Sequence, residues 1–394
     1  MKKFFYENAP SGWRITFLTL LLLWCASLFF KNAVYQISFA ALNLLFLVHL
    51  LYFKNYAILS EILKKTRFIA ICFVCLVATL AISNLLNEAV ISKKAWQSTL
   101  FFILRYGTIF LTLCYFYKLK FFDQSVVFAF LFVGLGILSA SAIYQFVSSP
   151  DAIVFSSDSV RGGLSGALSN RNILGLFMGF GLCLSAVAIR RPLSLKFAAL
   201  FLFAFFMIFS FSRAAWVGAF CALAFYGALN LKSLNKKYLL FTVGFIAIFA
   251  VLLALSPSFE QRLAALFSGD SSGRTVIWSY ILEMAQQKPI LGYGLGSYIN
   301  LPGSPVLEHP EYNAPHNLFL EILLYSGALG LIFYGAILFS VFKECIQSRQ
   351  FGVLALLIYL LIDCQFDHGA YLSKEALSLA TILSFLAYRT RIER

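Results

Sequence analysis

Runs of about twenty apolar residues, separated by short polar and basic stretches, recur along almost the whole chain. They fall at Ile15–Phe30, Ala33–Phe53, Phe68–Leu86, Trp96–Tyr117, Val126–Val147, Asn172–Ile189, Ser194–Ser210, Ala214–Leu231, Tyr238–Leu255, Asn317–Phe342, Phe351–Phe366 and Leu372–Tyr388. A helix rises about 1.5 Å per residue, so runs of this length bridge most of a hydrocarbon layer. The pattern predicts an all-α polytopic membrane protein with about 12 transmembrane helices. Two polar gaps are long, Ser148–Arg171 and Ser256–Pro315, and the second is too long to be a bare connection.

Composition agrees: of 394 residues, 61% are hydrophobic, 44 are Phe and only 12% are charged, which excludes an ordinary soluble domain. The net charge of +14 could suggest a nucleic-acid partner, but the basic residues alternate with the spans instead of forming one patch. With a cytoplasmic N-terminus, about 20 of the 31 Lys and Arg fall inside and about 10 outside, with Arg105 inside a span. Both termini are therefore expected in the cytoplasm, and residues 256–315 form a large periplasmic loop on a single transmembrane domain spanning 1–394. The first apolar run has a basic flank, Lys2 and Lys3, but no small-residue cleavage pattern follows it, so it reads as a retained helix. All eight cysteines lie in or at the ends of apolar runs, where packing is expected and disulfides are not.

Within the long loop, Arg274–Gln287 reads as an amphipathic helix. Val276, Ile277, Tyr280, Ile281 and Met284 share one face, and Thr275, Ser279, Glu283 and Gln286 another. The following KPILGYGLGS, Lys288–Ser297, spaces Gly292, Gly294 and Gly296 superficially like a dinucleotide loop. No βαβ unit surrounds it, so a turn with close backbone approach is expected. The chain has no P-loop sequence, and its acidic residues form no ligand constellation, so neither ATP-driven work nor a metal or other cofactor is expected.

Chemistry concentrates in PHNLFLEILLYSGALG, residues 315–330. On a continuous helix Gly327 lies about 20° around from His316 and Gly330 about 40° to the other side, so all three share a face. Small residues there admit a second helix, which would aim His316 at the outer membrane surface. The helix dipole there favours a neutral ring able to accept a proton, and the plain alternative is a histidine that only caps the helix. Arg213, in FSFSRAAW, and Arg274, in SSGRTVIW, lie on the same side; each is either an interface anchor or a fork for phosphate oxygens. Arg161, Arg171 and Asn172 add polar groups in the other external loop, and Asn317 stands beside His316. Arg105 and Glu321 are costly in a span unless they pair or face a polar cavity, and they complete the candidate substrate-contacting set.

The series His316, Asn317, nine residues, Gly327, two residues, Gly330 resembles the signature of the O-antigen ligase and polymerase superfamily of bacterial envelope glycosyltransferases. SRAAW, GRTVIW and KPILGYGLGS precede it in that family's order. The resemblance implies a GT-C-like bundle in the inner membrane, with its active site facing the periplasm. It also implies inverting, metal-independent transfer of a glycan from undecaprenyl-pyrophosphate, in the ligase branch to a sugar hydroxyl of lipid A-core. Arg213 and Arg274 would then hold the pyrophosphate, and His316 would orient or deprotonate the acceptor. A Wzy-type polymerase, a protein O-oligosaccharyltransferase and, in another class, a lipid-linked-sugar flippase stay open as alternatives; charges gathered at one outer face argue against the last.

Overall fold

A computed structural model describes residues 11–29, 32–149, 162–168, 170–230, 273–367, 371 and 373–394, with isolated positions between 231 and 272. Among these residues every regular element is helical. Among the described residues, six helices are long and apolar enough to cross a membrane, and four shorter apolar helices accompany them.

The elements are α1 (Ser11–Ser27), α2 (Asn32–Tyr52), α3 (Tyr56–Lys65), α4 (Arg67–Leu86), α5 (Ala95–Phe102), a π-helical turn (Ile103–Thr108), α6 (Ile109–Lys118), α7 (Gln124–Ser148), α8 (Arg171–Ala188), α9 (Leu193–Phe209), α10 (Arg213–Leu229), α11 (Arg274–Gln287), α12 (Leu318–Gln347), α13 (Phe351–Asp363) and α14 (Lys374–Glu393). The apolar run at Tyr238–Leu255 lies outside the described residues, as do the loop residues up to 272 apart from isolated positions. Ser194–Ser210 and Ala214–Leu231 resolve into two helices, α9 and α10, because Ser210–Ser212 interrupts them and Ser212 caps α10 by accepting from Ala215 N. The hydropathy pattern misses α3, which is too short to span; Ile58 and Ile62, one turn apart, bury its single apolar edge.

The chain forms two compact units. The first comprises residues 1–130, 273–350 and 364–394, and there α12 packs along α4 while α14 packs along α6 and the π turn. The second comprises residues 131–272 and 351–363, where α8, α9, α10 and α13 pack together. Its hub is Tyr359 of α13, fully buried, whose hydroxyl donates to Leu176 O (2.8 Å) and Gly175 O (3.2 Å). Gly179 and Gly218 leave the room this ring occupies, since a Cβ at either would press into it.

The decisive feature of the first unit is a break in α12. Gly327 has φ +63° and ψ −165°, a conformation open essentially to glycine, and the helix stops and restarts there. A broken helix exposes backbone groups that lipid cannot satisfy, so protein must take them up. The 288–296 loop does so: Tyr293 N and Gly294 N donate to Leu324 O (2.8 Å) and Tyr325 O (3.0 Å). On the other side of the break, Ala328 N and Leu329 N donate to Pro289 O (2.8 Å) and Ile290 O (3.2 Å). The loop fits because Gly292, Gly294 and Gly296 all have left-handed φ, at +68°, +80° and +73°.

This corrects the expectation that Gly327 and Gly330 admit a second helix. At Gly327 the neighbour is the backbone of Ile290 and Leu291, which a Cβ would overlap; at Gly330 it is the side chain of Ser326, whose hydroxyl lies 2.8 Å from that of Tyr371. The angular reckoning from His316 assumes helical φ throughout, and the positive φ at Gly327 ends that periodicity.

Candidate functional site

The site in the first unit is built from the entrance of α12. Asn317, not His316, is the cap: its Oδ1 accepts from Phe319 N (3.0 Å) and Leu320 N (2.9 Å), and its Nδ2 donates to Gln365 O (3.0 Å). Leu318 N donates to Cys364 O (2.9 Å). These two bonds fasten the segment after α13 to the mouth of α12, which brings Asp367 beside His316.

His316 precedes the cap with φ +50°, a left-handed conformation that is costly for a residue with a Cβ. Its Nδ1 lies 3.7 Å from Asp367 Oδ1. The same oxygen takes an ion-paired hydrogen bond from Arg274 Nη2 at 3.0 Å. The Asp367 side chain is only 6% exposed, so this carboxylate interacts where screening by water is weak.

Arg274 is placed by α11, which forms over the residues expected of it. The buried stripe is Ile277, Ile281, Met284 and Ala285, spaced at three and four residues, while Val276, expected on that face, is exposed. Trp278 of the same helix donates to Pro315 O (3.2 Å) and lies 6.3 Å, centroid to centroid, from Phe366. Gly273, with φ +79°, starts the helix where a Cβ would collide with the Tyr312 ring. Arg274, Asp367 and His316 are thus held by three chain segments, each tied to the next through backbone atoms.

Support for the mouth also comes from α4. Ser83 Oγ donates to Tyr325 O (3.0 Å), the carbonyl at the α12 break, and Asn84 Oδ1 accepts from Leu295 N (2.7 Å). Asn87 Nδ2 donates to Gly292 O (3.2 Å), and Lys288 Nζ donates to Asn87 Oδ1. Hydropathy alone does not single out these residues. Their signal is three polar side chains, all buried, in the last turn of an apolar span and just beyond it.

The other candidates are distributed as follows. Glu321, one turn into α12 and buried, accepts from Tyr371 N at 3.0 Å. Arg105, in the π turn, has its guanidinium over the rings of Tyr35, Phe39 and Phe101. In the second unit, Arg213 is the buried first residue of α10 and Arg171 opens α8, where it donates to Gly162 O. Gly175 of α8 touches Ser212, so both helices start at the same end of that unit, with Asn172 in the first turn of α8 below its cap, Asn170. Arg161 lies outside the described residues. Sequence reasoning misses Asp367: one acidic residue just past an apolar run carries no periodic signal, and it is the ties from Asn317 and Leu318 to Gln365 O and Cys364 O that bring it to the histidine.

Fold and site together define a polytopic, all-helical membrane protein with an arginine–carboxylate–histidine group at one helix mouth. Comparison with known proteins narrows this. Residues 198–335, about a third of the chain, match the Wzy_C family, described as O-antigen ligase. That segment contains Arg213, Arg274, His316, Asn317, Gly327 and Gly330. A candidate polysaccharide ligase of Rickettsia conorii is 32% identical over 92 residues, 21% of this chain and 22% of the relative. Similar proteins of Rickettsia felis and Rickettsia typhi are each 34% identical, over 88 and 79 residues, covering 22% and 20% of those relatives. The chain thus aligns with about a fifth of the length of the curated relatives it matches. Over residues 198–335 the chain is thus similar to the O-antigen ligase family.

Proposed function

We propose that this protein is an O-antigen ligase, a glycosyltransferase of the inner membrane with about twelve helices in a GT-C-like bundle. Its donor is a glycan on undecaprenyl-pyrophosphate, its acceptor a sugar hydroxyl of lipid A-core, and transfer occurs at the periplasmic face with inversion and without a metal ion. The observation that carries this reading is the single Asp367 oxygen that faces both Arg274 and His316.

The roles follow from the chemistry of the groups. His316 takes the proton of the acceptor hydroxyl, and Asp367 beside Nδ1 orients the ring and stabilises the imidazolium that forms. The hydroxyl oxygen attacks the anomeric carbon as the bond to the pyrophosphate breaks. Arg274 neutralises the charge that develops on the leaving phosphate, with one guanidinium nitrogen held on Asp367 and the rest of the fork directed to the donor; for Arg213, in the second unit, the phosphate role is the one the family resemblance implies. A pyrophosphate departs readily, so positioning carries most of the catalysis and the base contributes about 10²–10⁴-fold. Asn317 keeps His316 at the helix mouth. Glu321 holds the Tyr371 segment in place.

The test is reconstitution of purified protein with undecaprenyl-pyrophosphate glycan and either lipid A-core or a second lipid-linked glycan. Extension of lipid A-core, with inverted configuration at the new linkage, is expected. Extension of only the lipid-linked glycan would make the protein a polymerase, and extension of neither would remove the glycosyltransferase reading.

A further inference from the structure

Trp278 closes the GRTVIW segment and lies four positions beyond Arg274, which puts the two on one face of α11, about 6 Å apart along the helix. Its indole Nε1 donates to Pro315 O at 3.2 Å, so the ring is tied to the residue before His316. Phe366, the residue before Asp367, lies 6.3 Å away at a tilt of 42°, a wall beside the indole and not a lid on it. The ring is thus linked to all three members of the Arg274–Asp367–His316 group, yet it carries no charge and its one donor is already bonded.

What it still offers is an apolar face. Trp278 is partly exposed, on a helix outside the apolar spans, and among the described residues no ring lies flat on it. The other rings of this region are engaged: Lys288 Nζ stands 4.8 Å from the Tyr293 centroid, Tyr298 is fully buried with Tyr280 edge-on to it, and Tyr312 packs on Gly273 and on the His309 ring. A tryptophan that only anchors a helix at the membrane interface sets its ring among headgroups with the N–H toward water. Here the N–H is held by a backbone carbonyl, which fixes the plane of the ring and leaves its face to whatever enters the site.

We propose that Trp278 is the floor of the acceptor subsite, on which a sugar ring stacks by its face of C–H groups. This rests on the glycosyl-transfer reading and adds to it where the acceptor lies and which sugars fit. Inversion requires the acceptor oxygen to enter opposite the departing phosphate, so with the phosphate at Arg274 the acceptor lies further along α11, where Trp278 and His316 meet. A hexopyranose carries hydroxyls around its rim and C–H groups on its faces, and slightly positive C–H groups are drawn to the negative π face, as the edges of aromatic rings are. A sugar held in this way turns a rim hydroxyl to His316. The subsite selects acceptors with one face free of axial hydroxyls.

The experiment measures glycan transfer by the full-length protein in nanodiscs, with the donor and lipid A-core varied in turn. Trp278→Leu, apolar but without a ring face, should raise the acceptor KM by about 10-fold or more and leave the donor KM within about 2-fold. Trp278→Phe keeps a face and loses the N–H, so the acceptor KM should rise by less than about 3-fold while kcat falls, because the Pro315 bond that holds His316 is gone. An unchanged acceptor KM in folded Trp278→Leu overturns the proposal. An equal rise in both variants, which would put the effect in the N–H, or a rise in the donor KM alone, overturns it as well. If Trp278→Leu does not fold, saturation-transfer NMR of the parent protein with free core oligosaccharide decides: transfer concentrated on the C–H protons of one ring face supports the stacking, and even or absent transfer overturns it. The same spectra separate this site from the reaction. A parent protein that shows the one-sided contact but transfers no glycan removes the glycosyltransferase reading and keeps the sugar site, and one that transfers glycan with evenly spread contact does the reverse.

Discussion

At the scale of single residues, His316 is held at φ +50° by what flanks it: the Asn317 cap on one side and the Trp278–Pro315 bond on the other. Such a conformation costs on the order of 1–2 kcal/mol and persists because the neighbours determine it. Asp367→Asn keeps shape and removes charge, so it should preserve the fold and donor-lipid binding while lowering single-turnover transfer by roughly 10²-fold and altering its pH profile. A folded Asp367→Asn protein with the parent rate at every pH would deny the carboxylate its positioning role. Arg274→Lys retains a charge but loses the planar fork, both for Asp367 and for phosphate, and should keep less than about a tenth of the activity. Parent-like kinetics in that variant would reduce Arg274 to an interface anchor.

At the scale of elements, the broken α12 and the 288–296 loop form one unit, because each satisfies the other's backbone. Gly327→Ala places a Cβ against Ile290 O at a φ/ψ combination that alanine avoids. It should destabilise the protein by about 3 kcal/mol or more, read as a lower unfolding temperature in detergent. Gly335, further along the same helix, has no atom within 4 Å of its would-be Cβ. Gly335→Ala should therefore be neutral or raise stability by up to about 1 kcal/mol. Equal losses in the two variants would show that the break does not depend on glycine. Asn84 makes two buried bonds, accepting from Leu295 N and donating to Thr99 Oγ1 (3.0 Å). Asn84→Ala should cost roughly 1–3 kcal/mol and speed hydrogen exchange in the loop before it does so elsewhere.

At the scale of the molecule, the Lys and Arg asymmetry predicts which ends of the helices face which compartment. A reporter fused after Gly303 should be active in the periplasm and one fused after Asn55 in the cytoplasm; the reverse pattern would place the Arg274–Asp367–His316 group on the wrong side for a periplasmic donor. Near the chain's end, Glu61 accepts from Lys65 (2.7 Å) and Lys118 (2.9 Å), and both lysines also donate to Ile392 O. These hydrogen bonds lower the Glu61 pKa to about 2. A lowered carboxylate pKa stabilises the fold at neutral pH and loses that contribution as pH falls from the ordinary carboxylate range through about 2. Protection of residues near Ile392 from hydrogen exchange should therefore decline with acidification in the parent protein and be insensitive to it over that range in Glu61→Gln. Identical acid responses would remove Glu61 from the linkage.

Helix-forming apolar runs, their basic flanks and the amphipathic pattern of Arg274–Gln287 are local properties, set by how each segment meets lipid and water, and so they are legible in the order of residues alone. His316, Arg274 and the three loop glycines are legible too, as residue types at telling places. Nothing local shows that Gly327 breaks its helix, because the break is stable only where Pro289–Gly294 and Ser83 supply the missing hydrogen bonds. Nor does anything local show that Asp367 stands between Arg274 and His316, residues 93 and 51 positions away in the chain. The sequence by itself determined which segments leave water and where reactive side chains occur. Tertiary structure alone decided which of them share a carboxylate, because burial makes that meeting strong and only the packed backbone brings its members together.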